Sequence, residues 1–82
     1  MNHTRAHIHV VTQADILHLI NLLYTSEDVF TVEDFTGTRR VNARSLLGVL
    51  YIVSECGDKL YLVNDTNDGV FPTALDEMRV LA

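Results

Sequence analysis

The residues from Thr12 to Thr25, "TQADILHLINLLYT", set the tightest limit on what this chain can fold into. Ile16, Leu19, Ile20 and Leu23 recur at helical spacing and form one stripe, which Leu17 and Leu22 widen; a helix of this kind must lay that side on a core. Thr12 stands three residues before Asp15, a pairing that satisfies otherwise free amides where a helix starts. The helix is expected to end near Thr25 or Ser26. Just before it the period changes. In "HIHVV", residues 7–11, Ile8 and Val10 share a side, as in a short strand.

The rest of the chain repeats this alternation. "VFTVEDF" and "TRRVNARS" are β-rich and separated by Thr36-Gly37, a hairpin signal. The second run sets Arg39, Val41 and Ala43 against Arg40, Asn42 and Arg44. In "SLLGVLYIVSEC" the residues Leu46, Val49, Leu50 and Val53 share a helical face, and Gly57 suits the cap that ends it. "KLYLVND" reads as a strand with Leu60 and Leu62 opposite Tyr61 and Val63, and "NDTNDG" as a polar turn. Pro72 suits the first turn of a last helix whose inward residues are Leu75, Met78 and Leu81. The expected order is βαββαβα. It implies an α+β fold, a two-layer open-faced sandwich with a mostly antiparallel four-stranded sheet and three helices on one face.

At 82 residues, with 48% apolar side chains, the chain is expected to form one domain spanning residues 1–82. A chain of this length buries only about 60% of the surface its unfolded form exposes, so its core is small. The longest apolar run, Leu46 to Val53, is far shorter than the ~20 residues of a membrane span, and "MNHTRAHIHVV" lacks a signal-peptide pattern. Cys56 is the single cysteine, which leaves no intrachain disulfide and fits a cytoplasmic location. The net charge of −5 opposes general nucleic-acid binding, which rests on neutralising phosphates.

Residue chemistry alone points to no enzyme. His7 and His9 lie two apart on a strand and His3 precedes them, yet no third metal ligand follows at a diagnostic spacing. His18 sits among apolar residues. With Gly69 placed sixth in a calcium loop, the twelfth position is Leu75 where a glutamate is required. Cys56 has no basic neighbour in sequence to activate it, and no phosphate-binding glycine motif occurs. No cofactor is expected.

The segment 29–65, "VFTVEDFTGTRRVNARSLLGVLYIVSECGDKLYLVND", resembles HPr, the small phosphocarrier of the bacterial sugar phosphotransferase system, and "ARSLLGVL" is its most specific part. The resemblance implies the HPr fold. HPr carries phosphate on a histidine in a Gly-Leu-His-x-Arg-Pro segment at the start of its first helix. Here that place reads "VVTQADILHL", with Ala14 at the position of the histidine and Ile16 at that of the arginine. Phosphoryl transfer needs an exposed imidazole whose phosphate meets free amides and an arginine, so the chain is closer to the catabolite-repression HPr-like proteins. These lack the carrier histidine and keep a serine that a dedicated kinase modifies.

That serine corresponds to Ser45. The resemblance implies a regulatory or adaptor protein, with Ser45 as a phosphorylation site and Leu46, Leu47 and Leu50 as the partner-binding surface. Arg44 and Arg40 are expected at its charged edge. The partner is expected to be a protein, a transcriptional regulator or a phosphotransferase-system component, with a serine kinase acting on Ser45. A serine before a helix also serves as an ordinary N-cap. The rival expectations are a phosphocarrier that uses a relocated histidine, His18, and a structural assembly domain.

Overall fold

In the computed structural model, which describes residues 4–56 and 59–80, strand β1 (Arg5–Ile8) begins two residues earlier than the sequence implies. Val10 lies past its end and is nevertheless buried. Helix α1 (Gln13–Tyr24) follows, and its start is locked on both sides: Thr12 Oγ1 accepts the Asp15 amide and Asp15 Oδ2 accepts the Thr12 amide, each at 3.1 Å. Ile16, Leu19, Ile20 and Leu23 are the buried residues of α1, the stripe the spacing predicts.

Strands β2 (Phe30–Asp34) and β3 (Arg40–Asn42) form a hairpin whose turn uses Gly37 at φ +77, a conformation in which glycine has no Cβ penalty. Helix α2 (Leu46–Cys56) and strand β4 (Leu60–Asn64) complete the sheet, in the spatial order β1-β4-β2-β3. Every neighbouring pair is antiparallel. Because side chains alternate along a strand, Ala6, Ile8, Phe30, Val32, Leu60 and Leu62 point to one side, where they join the apolar faces of α1 and α2 in a single core. The chain is therefore an α+β structure with a four-stranded antiparallel open sheet and three helices. The other side of the sheet carries Arg5, His7, Thr31, Glu33, Arg40 and Tyr61.

Two expected helices differ from the ones found. In α2 the buried residues are Val49 and Ile52, with Leu50, Val53 and Cys56 partly covered, while Leu46 is exposed. The buried stripe is rotated away from Leu46 because α2 rests on β3 through Gly48. A Cβ added there would stand 3.2 Å from both Val41 Cβ and Ser45 Oγ, so the close approach fixes which side of α2 turns inward. The last helix is a 3-10 helix, Thr73–Met78, with Pro72 as its N-cap residue. It does bury Leu75 and Met78. It stops because the chain must turn extended again: the His9 amide donates to Met78 O at 2.7 Å and the Val80 amide to His7 O at 2.8 Å, which lays residues 79–80 along β1. Leu81 and the expected cap at Gly57 lie outside the described residues.

Candidate functional site at the start of the second helix

Asn42, Ser45 and Gly48 shape the opening of α2. Asn42 Oδ1 accepts the Arg44 amide at 2.8 Å and Asn42 O accepts the Ser45 amide at 3.0 Å. This turn delivers the chain to Ser45, whose Oγ accepts the Gly48 amide at 3.2 Å and whose carbonyl accepts the Val49 amide at 2.9 Å. Ser45 is thus the N-cap of α2, and it is exposed to solvent. The first turn of α2 contains no acidic residue, so its positive dipole end is balanced by no carboxylate of its own.

Beside this cap lies uncovered apolar surface. Leu47 is 79% exposed and Leu46 45%. Leu46 and Leu50 form one wall of a groove of about 190 Å³ whose opposite wall is Gln13, Ile16 and Leu17, from the start of α1. Leu17, on the groove wall, and Tyr51, one turn beyond Leu47 on α2, are also exposed. Single exposed leucines are ordinary; a contiguous patch spanning two helix starts is the kind that meets another protein.

The two arginines expected at the edge of this patch are occupied elsewhere. Arg44 Nη2 donates to Leu23 O at 3.3 Å and also to Ser26 O, and its guanidinium lies 5.8 Å from the Tyr24 ring centre. It caps the carboxyl end of α1, which has no basic residue in its own last turn, and so complements the dipole there. Arg40 is on the far side of the sheet, 3.1 Å from Glu33 Oε2 and 3.3 Å from Asp65 Oδ1.

Ala14 is exposed near the start of α1. Just before α1 begins, Asp15 Oδ2 accepts the amides of Val11 and Thr12, both at 3.1 Å, which places a carboxylate at this helix start. Those backbone hydrogen bonds, from Thr12 first and Val11 second, hold the Asp15 carboxyl below its ordinary value. His18 lies further along α1, half exposed, with Nε2 4.0 Å from Glu77 Oε2. It borders an open groove of about 680 Å³ that also involves Ala14, Asn21, Pro72 and Ala74.

Among the described residues no group of three His, Cys, Asp or Glu side chains could hold a metal ion. His7 stacks on Tyr61 with ring centres 4.7 Å apart, and His3 lies outside the described residues. The calcium-like turn is organised by Asn64 instead. Its amide group donates to Asp28 Oδ2 and Val70 O, both at 2.8 Å, while its oxygen accepts the Thr66 amide at 2.9 Å and the Asn67 amide at 2.8 Å.

Sequence reasoning missed the composition of the open sheet face. Glu33 is buried between Arg5, at 2.9 Å, and Arg40, and the Arg5 guanidinium sits 4.0 Å above the Tyr61 ring centre. The alternation in β4, which puts Tyr61 opposite the core, was the available signal.

Among the described residues, no helix is long and apolar enough to cross a membrane. No family model, no curated protein and no solved structure matches the chain.

Proposed function

We propose that this chain is a non-catalytic, HPr-like regulatory or adaptor domain that binds a protein partner through the start of α2, under control of phosphorylation at Ser45. The observation that carries the reading is the exposed apolar surface of Leu46 and Leu47 immediately after an exposed serine cap. The occupant is an apolar segment of another protein, inserted against Leu47 with one side chain in the groove between Leu17 and Leu50. A phosphoryl group on Ser45 would meet the amides of the first turn and the helix dipole without entering the core. Its charge would then mark the edge of the patch, while Arg44 is engaged with the end of α1 and Arg40 with Glu33 and Asp65. A transcriptional regulator or a phosphotransferase-system protein in the cytoplasm fits the resemblance carried by "ARSLLGVL".

The rival reading, phosphate transfer through His18, has the weaker support. Glu77 stands beside that imidazole and would repel a phosphoryl group, and the Asp15 carboxylate at the start of α1 would repel one there as well.

The test is affinity capture with wild-type protein, Leu47→Glu and Ser45→Asp, with phosphosite mapping of the native chain. A binder retained by the wild type and lost with Leu47→Glu, together with phosphate on Ser45, supports the reading. Equal retention by all three proteins, or acid-labile phosphate on His18 after incubation with phosphorylated enzyme I, overturns it.

A further inference from the structure

We infer that the sheet face turned away from the helices holds a second site, one that takes a small planar aromatic ring bearing a single anionic group. It is separate from the α2 surface and does not rest on the reading proposed for it.

The register of the sheet builds this site. His7 on β1 lies directly across from Tyr61 on β4, which in turn lies across from Glu33 on β2. Tyr61 is immobilised in this row: His7 stacks on it with an interplanar angle of 25°, and Arg5, itself tied to Glu33 Oε1 and to Phe35 O, lies above its ring. Phe35 follows β2 and its ring centre stands 6.1 Å from that of Tyr61, at an angle of 56°. His7, Phe35, Lys59 and Tyr61 together line a cleft of about 330 Å³. That is near the lower end of the ~300–1,000 Å³ typical of small-molecule sites.

The walls state the chemistry of the occupant. Three are rings, and Phe35 keeps 63% of its surface in solvent; rings of this kind favour another flat ring in offset or edge-on contact. The fourth wall ends in a cation. Arg5, Arg39 and Arg40 all have carboxylate partners, whereas the Lys59 ammonium has none among the described residues. One ring and one negative charge satisfy both features.

Two other occupants fit less well. A second copy of the chain packed face to face about a two-fold axis would bring Lys59 and its symmetry mate to the same apolar cleft, with no acid to receive them. A nucleic-acid strand needs one cation for each neutralised phosphate, while the chain as a whole carries −5.

The site is tested by following the amide signals of isotope-labelled protein while titrating five probes: indole-3-acetate, adenosine monophosphate, indole, acetate and oligouridine. Indole-3-acetate and adenosine monophosphate distinguish a carboxylate from a phosphate source of the charge. At least one of them should move the signals of His7, Phe35, Lys59 and Tyr61 together; indole should do so more weakly, and acetate not at all. Phe35→Ala should weaken binding about tenfold, the loss expected for one ring stack, and Lys59→Gln should weaken the anion and leave indole unchanged. Both side chains are exposed, and thermal melts of the variants check that the fold is retained. Three results would overturn the site: no shift at these residues with either aromatic anion, unchanged affinity in Phe35→Ala, or tighter binding of oligouridine than of both anions. Shifts at the same residues that depend on protein concentration alone would assign the face to self-association instead.

Discussion

Replacing Ser45 separates its two roles. Its hydroxyl supplies one hydrogen bond, to the Gly48 amide at 3.2 Å, and N-cap serines are worth about 1 kcal/mol against alanine. A domain of this size is stable by roughly 4–12 kcal/mol, so Ser45→Ala removes a measurable share, a fall in melting temperature of about 4–8 °C. Ser45→Asp should behave in the opposite way. Aspartate caps as well as serine, and its charge adds about 0.3–1 kcal/mol at a helix start where no other acidic residue sits in the first turn. The molecule already contains such an arrangement at Asp15, whose carboxyl is held below 3.8 by the Thr12 and Val11 amides. A carboxylate with a lowered folded pKa contributes stability that is fully present above the unfolded value and lost as pH falls through the folded one. Thermal melts of the three proteins at neutral pH and near pH 3 therefore have a stated pattern. Aspartate should exceed alanine by about 1–2 kcal/mol at neutral pH, and the gap should narrow in acid. Equal melting temperatures for Ser45→Asp and Ser45→Ala, or a gap indifferent to pH, would refute both the cap and the electrostatic argument for a phosphate there.

Asn64→Ala removes four hydrogen bonds from a side chain that is 1% exposed. Partial compensation by water leaves an expected loss of about 2–3 kcal/mol, read from urea unfolding; less than about 1 kcal/mol would mean the 64–70 turn holds itself without it. Acid should also destabilise the wild type. Asp15 and Asp28 are both held below 3.8, Asp28 by the side-chain amides of Asn64 and then Asn67, so stability present at neutral pH should be lost as pH falls below about 4. Thr12→Val, lacking the hydroxyl that completes the capping box, should lose less on acidification than wild type in the same melts.

How far the sequence disclosed this structure depended on whether neighbours along the chain were neighbours in space. The α1 stripe and its Thr12–Asp15 cap were legible because every participant lies within one helix. So was β4, where simple alternation separates Leu60 and Leu62 from Tyr61. The α2 stripe was not, because periodicity treats Leu46 and Val49 alike, and only the approach of Gly48 to Val41 decides between them. Arg40 and Arg44 look like one cluster in "RRVNAR", yet one joins Glu33 and the other the end of α1. The stack of Arg5, His7, Phe35 and Tyr61 draws on β1, β4 and the residue just after β2, and its assembly follows from sheet register, which no local pattern encodes. The last helix was expected as an α-helix because Leu75, Met78 and Leu81 fit that period; the pull of β1 on residues 79–80 shortens it.

That pull has a further consequence. Unpaired strand borders invite foreign chains to add themselves, the first step toward fibrous aggregates. With residues 79–80 laid along β1, much of that border is already shielded, and the opposite one is the brief β3, with Arg40 among its three residues. A small sheet with one flank sheathed and the other too short to template growth can leave a broad face bare without becoming sticky at its margins.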